Sequence, residues 1–75
     1  MKELLRYILS ELVSSPDKIE IEETVKGNQV DFTVKVAEED IGSVIGRGGR
    51  VANSIRTVVR SMGRKENKHV NIRFE

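Results

Sequence analysis

The spacing of the apolar residues changes three times along the chain, and that succession of periods constrains the fold more than any other feature of the sequence. Leu4, Leu5, Ile8, Leu9 and Leu12 recur at three- and four-residue intervals, the spacing of one face of a helix over about residues 2–13. Ser14-Ser15-Pro16-Asp17 ends it, because proline disfavours helical backbone in the residue before it. From Lys18 the period falls to two. Ile19, Ile21 and Val25 alternate with Glu20, Glu22 and Thr24, and beyond Gly27-Asn28 so do Val30, Phe32, Val34 and Val36 with Asp31, Thr33 and Lys35. Glycine and asparagine tolerate the positive φ of a tight turn, so the pair reads as a hairpin with one core face and one solvent face. Glu23 interrupts the pattern and leaves the far end of the first strand open.

The longer period then returns. Glu38, Glu39 and Asp40 precede a short segment, Ile41-Gly42-Ser43-Val44-Ile45, and acidic side chains stabilise the positive end of a helix that starts there. Gly46-Arg47-Gly48-Gly49 follows, then a second helix with Val51, Ile55, Val58, Val59 and Met62 on one face and Gly63 as its expected C-terminal cap. After a polar turn, Val70, Ile72 and Phe74 alternate with Asn71 and Arg73 as a last strand. The order α-β-β-α-α-β implies one α+β domain over residues 1–75, a three-stranded sheet with its helices on one face.

Seventy-five residues support one core and little else, so nearly every apolar side chain is committed to it. The absence of cysteine removes a disulfide framework, a thiolate nucleophile and a Cys-based zinc site, and fits the reducing cytoplasm. The single histidine makes no metal site alone. The longest apolar run is Tyr7-Ile8-Leu9, so neither a signal peptide nor a membrane span is expected.

The segment with the most chemical content is Val44-Ile45-Gly46-Arg47-Gly48-Gly49-Arg50-Val51. Three glycines in four residues remove side-chain bulk, so a phosphate-sugar backbone can approach the main chain closely, with N–H donors at the next helix's start. Arg47 and Arg50 add positive charge where phosphates would pass. The same glycines also permit a tight turn with no ligand at all. Charge distribution favours the ligand: from Ile45 to Arg73 eight basic residues face only Glu66, a net of +7, whereas the whole chain carries +1. Arg56, Arg60 and Arg64 fall four apart, on a helix face roughly opposite the apolar stripe, and fit either an extension of a phosphate-contacting surface or a solvated face.

With Ile45-Gly46-Arg47-Gly48-Gly49 between its two central helices and Ile55 further along, the chain resembles the K-homology (KH) domain in its bacterial, type II arrangement. The resemblance covers the whole chain, and as a single such domain it is similar to the small bacterial KhpA-type RNA-binding proteins. It implies a mixed three-stranded sheet and a groove holding about four unpaired nucleotides, with the GxxG loop, here Gly46, Arg47, Gly48 and Gly49, clamping their backbone. Ile41, Val44 and Ile45, with Val51 and Ile55, are then candidates for base contact; each also fits a place in the core, and Val51 and Ile55 are read first as core. Apolar walls and main-chain edges can bind bases without stacking, which matters because Tyr7, Phe32 and Phe74 are too few and scattered for an aromatic platform. The resemblance also implies a cytoplasmic RNA chaperone or helper, a homodimer or a complex with a larger KhpB/Jag-type partner, and in some bacteria a link to cell shape and cell-wall synthesis.

Competing readings fare worse. A P-loop would need Lys-Ser/Thr after the glycines, and a dinucleotide fingerprint would need glycine where Val51 stands and a strand before the turn. The three adjacent carboxylates suit a helix start better than acid–base catalysis, and His69 has no sequence partner. No catalytic residue, metal, cofactor, small-molecule substrate or membrane contact is expected. The serious alternative is a protein-interaction module built on the same fold without RNA binding of its own.

Overall fold

In the computed structural model, which describes residues 2–75 with Arg47 and Gly48 as main chain alone, the first helix, α1, runs Lys2–Leu12. Leu5 and Leu9 are completely buried and Leu4 and Ile8 half-buried, whereas Leu12, at the margin of the stripe, is 41% exposed. A 3-10 turn, Pro16–Lys18, reverses the chain into the hairpin of β1 (Glu20–Lys26) and β2 (Gln29–Lys35). Gly27 supplies the required left-handed residue at φ +58°.

The sheet has the order β1-β2-β3, with β3 at His69–Phe74; β1 pairs antiparallel and β3 parallel to the central β2. Val30, Phe32 and Val34 of β2 are each 1% exposed, since the central strand lies wholly under the helices. Ile21 shares that protection. Glu23 and Val25, paired with Phe32 and Val30, point to the same side but lie beyond the helical layer, so Val25 is 55% exposed instead of joining the core. This is why the alternation of β1 failed at Glu23: the helices cover only the start of that strand.

A 3-10 turn, Glu38–Asp40, leads into the helical segment α2, Ile41–Lys65. Helical backbone continues through Gly46–Gly49, where an irregular turn was expected, and is broken at Gly49 by φ +79°, which no right-handed helix contains. Two helical arms therefore meet at a single glycine, and the α-β-β-α-α-β order stands. The second arm also runs past Gly63, which is not its cap. A Cβ on Gly63 would lie 2.5 Å from a Val70 methyl and 3.0 Å from the Lys68 carbonyl oxygen, so this glycine lets α2 press onto β3. Ala52, Ile55 and Val59 are buried on the same arm. Val58 was expected on the buried stripe but is 46% exposed, turned toward α1 at the edge of the helix pair.

Candidate nucleic-acid interface

The first arm of α2 is held by a carboxylate. Asp40, 2% exposed, directs its side chain away from the helix it starts and accepts from the Ser14 amide (2.9 Å), the Ser14 hydroxyl (2.7 Å) and the Ser15 amide (3.1 Å). The Ser15 hydroxyl donates to Glu39 at 2.9 Å. The Ser14 main-chain bond, then the Ser14 hydroxyl, hold the Asp40 carboxyl below its ordinary range against the opposing effect of burial, with the Ser15 amide and Lys18 adding to the lowering. The acidic trio thus marks a helix start, as expected, but Asp40 serves as a clasp between that start and the end of α1.

Three glycines then leave the arm bare. A Cβ on Gly42 or Gly46 would meet nothing within 4 Å, and one on Gly49 only the Asn53 amide nitrogen at 3.8 Å. Gly49 is required by its backbone. Gly42 and Gly46 are required by neither backbone nor packing, yet each costs a helix about 0.5–1 kcal/mol relative to alanine. Gly42 shares a helix face with Gly46, and its isolated position within a helical run was the signal available for it in the sequence. Alanine scanning should separate the two kinds of glycine: Gly46→Ala is expected to raise stability by about 0.5–1 kcal/mol, and Gly63→Ala to lower it by about 1–3 kcal/mol through overpacking against Val70. Thermal melts of the two variants check the opposite signs.

Ile41 and Ile45, one turn apart, are 36% and 37% exposed, a composition of surface suited to flat apolar ligands. Val44 was expected beside them, as a contact residue or as core. It is completely buried, because its position on the arm faces the core. Val51 is half-buried and Ile55 is 4% exposed, in keeping with their reading as core. Gly46 and Gly49 lie where the two arms join; Arg47 and Gly48 fall between them, their side chains outside the described residues.

The arginines separate onto two flanks of the second arm. Arg50 is exposed and lines a groove of about 320 Å³ between α1 and α2 with Ile8, Leu12, Val51, Ser54, Ile55 and Val58. Arg56 and Arg60 lie on the other flank, beside β3, and not opposite the apolar stripe. Arg56 is half-buried: its Nε donates to the Ile72 carbonyl at 3.3 Å, its terminal nitrogen to Asn53 Oδ1 at 2.9 Å, and its guanidinium lies 5.3 Å from the Phe74 ring centre. Arg60 is exposed. Gly49, Asn53, Arg56 and Arg60 follow one another at helical spacing along this flank, and Asn53 was missed in the sequence because neither its type nor its neighbours mark it.

The strand they face has a free edge. The His69 and Glu75 amides donate to the Asn28 and Val34 carbonyls, and since bonding alternates along a parallel ladder, Val70, Ile72 and Phe74 turn their main-chain groups outward. Arg56 occupies one of these, the Ile72 carbonyl. The arrangement offers hydrogen-bonding edges, apolar surface and cations. Among the described residues no group of three or more metal-ligating side chains converges, and no helix is long and apolar enough to cross a membrane.

Comparison with known proteins decides the family. The profile of the KhpA/KhpB KH domain matches residues 2–74. This chain belongs to the KhpA/KhpB KH-domain family. Proteins named RNA-binding protein KhpA are similar to it over nearly their whole length: that of Clostridium acetobutylicum is 44% identical over 70 residues, covering 93% of each chain. That of Caldanaerobacter subterraneus subsp. tengcongensis is 43% identical with the same coverage, and that of Chlamydia trachomatis is 36% identical over 96% of this chain and 92% of the relative. As a KhpA/KhpB-family KH domain, the chain has the helix order and mixed sheet that its sequence resemblance implied, and its Gly46–Gly49 segment stands at the junction of the two central helical arms.

Proposed function

We propose that this chain binds single-stranded RNA in the cytoplasm, with Gly46, Arg47, Gly48 and Gly49 clamping the backbone of about four nucleotides. The observation that carries the reading is Gly46, whose bare Cα faces open space inside a helix that alanine would serve better. A ligand backbone that must approach the main chain accounts for that cost. Arg47 and Arg50 neutralise phosphates, Ile41 and Ile45 give bases an apolar surface, and the β3 edge beside Arg56 and Arg60 supplies hydrogen-bonding partners. The relatives' designation as RNA-binding proteins supports the same ligand.

With one short site and no dense set of side-chain donors, binding is weak and tolerant of sequence, as suits an RNA chaperone or helper. Linking two sites in a homodimer, or beside a KhpB/Jag-type partner with a role in cell shape and cell-wall synthesis, raises effective affinity. The apolar groove at Leu12 and Val58, 41% and 46% exposed, favours self-association, since a second copy presents the same residues in return. The groove also supports the competing reading, an interaction module with no RNA affinity of its own. A salt titration of binding to an unstructured RNA separates them. RNA binding predicts log affinity falling with log salt by about 0.7 per phosphate contact, a slope of at least about −2 for three or four contacts. Negligible affinity at moderate salt is the result an interaction module gives.

A further inference from the structure

β1 forms the other edge of the sheet, and among the described residues no strand lies on its outer side. The turn Gly27-Asn28 closes the hairpin on the Lys26–Gln29 pair, and bonding alternates away from it. Lys26, Thr24, Glu22 and Glu20 therefore bond to β2, whereas Ile21, Glu23 and Val25 turn their N–H and C=O groups outward. The Asn28 and Val34 carbonyls, which accept from the β3 side, fix the same alternation across β2. Ile19, next in the outward series, is occupied: Arg6 of α1 donates to its carbonyl at 3.5 Å. No side chain among the described residues bonds to the outward groups of Ile21, Glu23 or Val25. Edge strands are commonly blunted by proline, a bulge or an inward charge; β1 has no proline and an unbroken register, and its one guard is Glu23.

We propose that the β1 edge is a self-pairing surface, on which a second copy of this chain docks its own β1 antiparallel about a twofold axis at Glu23, joining the two sheets into one. The occupant follows from the strand's sequence. With the axis at Glu23, Ile21 of each copy opposes Val25 of the other and Glu23 opposes Glu23, so all three outward-facing residues find partners within β1. A shift of one pair either way sets an outward residue against Ile19, already bonded to Arg6, or against Gly27 in the turn. The same register sets Glu20 against Lys26 and Glu22 against Thr24 on the outer face, so each end of the interface carries an opposite-charge pair. Gly27 falls opposite Ile19 and leaves room for Arg6. On the inner face the helices cover only the start of β1, so the other copy's helical layer, over its Ile21, comes to lie beside the exposed Val25. Neither a uniformly acidic nor a uniformly basic segment matches this order of charges, and β1 reversed upon itself does. Glu23 is the exception: facing its own copy, it makes the one like-charged pair and keeps the association weak and dependent on concentration. The surface is separate from the Leu12 and Val58 groove, so copies using both would assemble beyond a dimer.

The test is sedimentation equilibrium of the full chain carrying Val58→Arg, an exposed helical position whose charge closes the groove to a second copy. Self-association should persist in this chain. Lys26→Glu, which sets a carboxylate against Glu20 of the other copy, should weaken it by about 10-fold, and adding Glu20→Lys should restore it, since the two charges have exchanged places. Glu23→Thr, which removes the like-charged pair, should tighten it by about 5-fold. Register is read independently of affinity. The chain has no cysteine, so Glu22→Cys, Glu23→Cys and Thr24→Cys each introduce a single thiol. In a glutathione buffer the disulfide-linked dimer should form predominantly from Glu23→Cys, because only that position faces its own copy, at the Cα separation of about 5.5 Å that a disulfide spans. A monomer at every concentration even with Glu23→Thr, a Lys26→Glu effect that is absent or that Glu20→Lys fails to reverse, or equal cross-linking of the three positions would overturn the proposal. Binding of an alternating Lys-Thr heptapeptide, tighter than self-association and lost on Glu23→Thr, would assign the edge to a basic partner strand instead.

Discussion

Asp40→Ala should lower the melting temperature by about 10–15 °C, the largest stability effect expected of a single polar substitution in this chain. The carboxylate accepts three hydrogen bonds from two consecutive residues, two of them from main-chain amides with no other acceptor among the described residues. Its removal frees the start of α2 from the end of α1, and with it the arm that carries Ile41, Ile45 and Gly46. Thermal unfolding followed by circular dichroism measures the change. Asp40→Asn keeps the shape but presents an N–H₂ group to donors, so it should recover little of the loss; recovery to the unsubstituted value would show that charge and acceptor capacity at this position do not matter.

The same clasp sets a pH dependence whose sign follows from its lowered ionisation. Asp40 titrates lower in the folded chain than in the unfolded one, so its contribution is fully present above the unfolded carboxylate value of about 3.9. It is lost as pH falls through the lower folded value. Stability should therefore decline below about pH 4 in the unsubstituted chain, and the Asp40→Asn variant, already without the clasp, should decline less over that interval.

The sequence made most of the architecture legible because each element carries its own period. Leu5 and Leu9, Val30, Phe32 and Val34, and Ile55 with Val59 all occupy the core that spacing assigned them. What escaped was tertiary. Whether Val25 and Val58 are covered depends on where another element ends, and nothing in their own neighbourhood records that the helical layer stops short of one and that a shallow groove lies at the other. Gly63 looked like a cap because glycine ends many helices; its purpose is space for Val70, seven residues on. Asp40 and Ser14 are 26 residues apart, too far for any local pattern to pair them.

The candidate site divides in the same way. Glycines and arginines near position 46 were visible as composition, and the near-neutral total charge concealed a basic half that segment-by-segment counting recovered. Arg56 was visible as a charge but not as a guanidinium bound to Ile72, Asn53 and Phe74, since the edge of β3 that it caps exists only once the parallel pair has formed. Val44 looked like Ile41 and Ile45 in type, and only the facing of the arm distinguishes it. One apolar residue in three was turned inward, which periodicity over five residues is too short to resolve.

The central claim, that the Gly46–Gly49 junction holds an RNA backbone, is tested most directly by measuring single-stranded RNA affinity of the Arg47→Asp/Gly48→Asp double variant beside the unsubstituted chain at low salt. Two carboxylates replace a cation and bare main chain where phosphates would pass, and repulsion at close range adds to the lost attraction. A fall of about 100-fold or more is expected, equivalent to about 2.7 kcal/mol. Circular dichroism should register an unchanged fold, because the core beneath the junction draws on Val44, Ala52 and Ile55, which the double variant retains. RNA affinity that is lost while the fold persists is the result this account predicts; a folded double variant that binds RNA as tightly as the unsubstituted chain would contradict it.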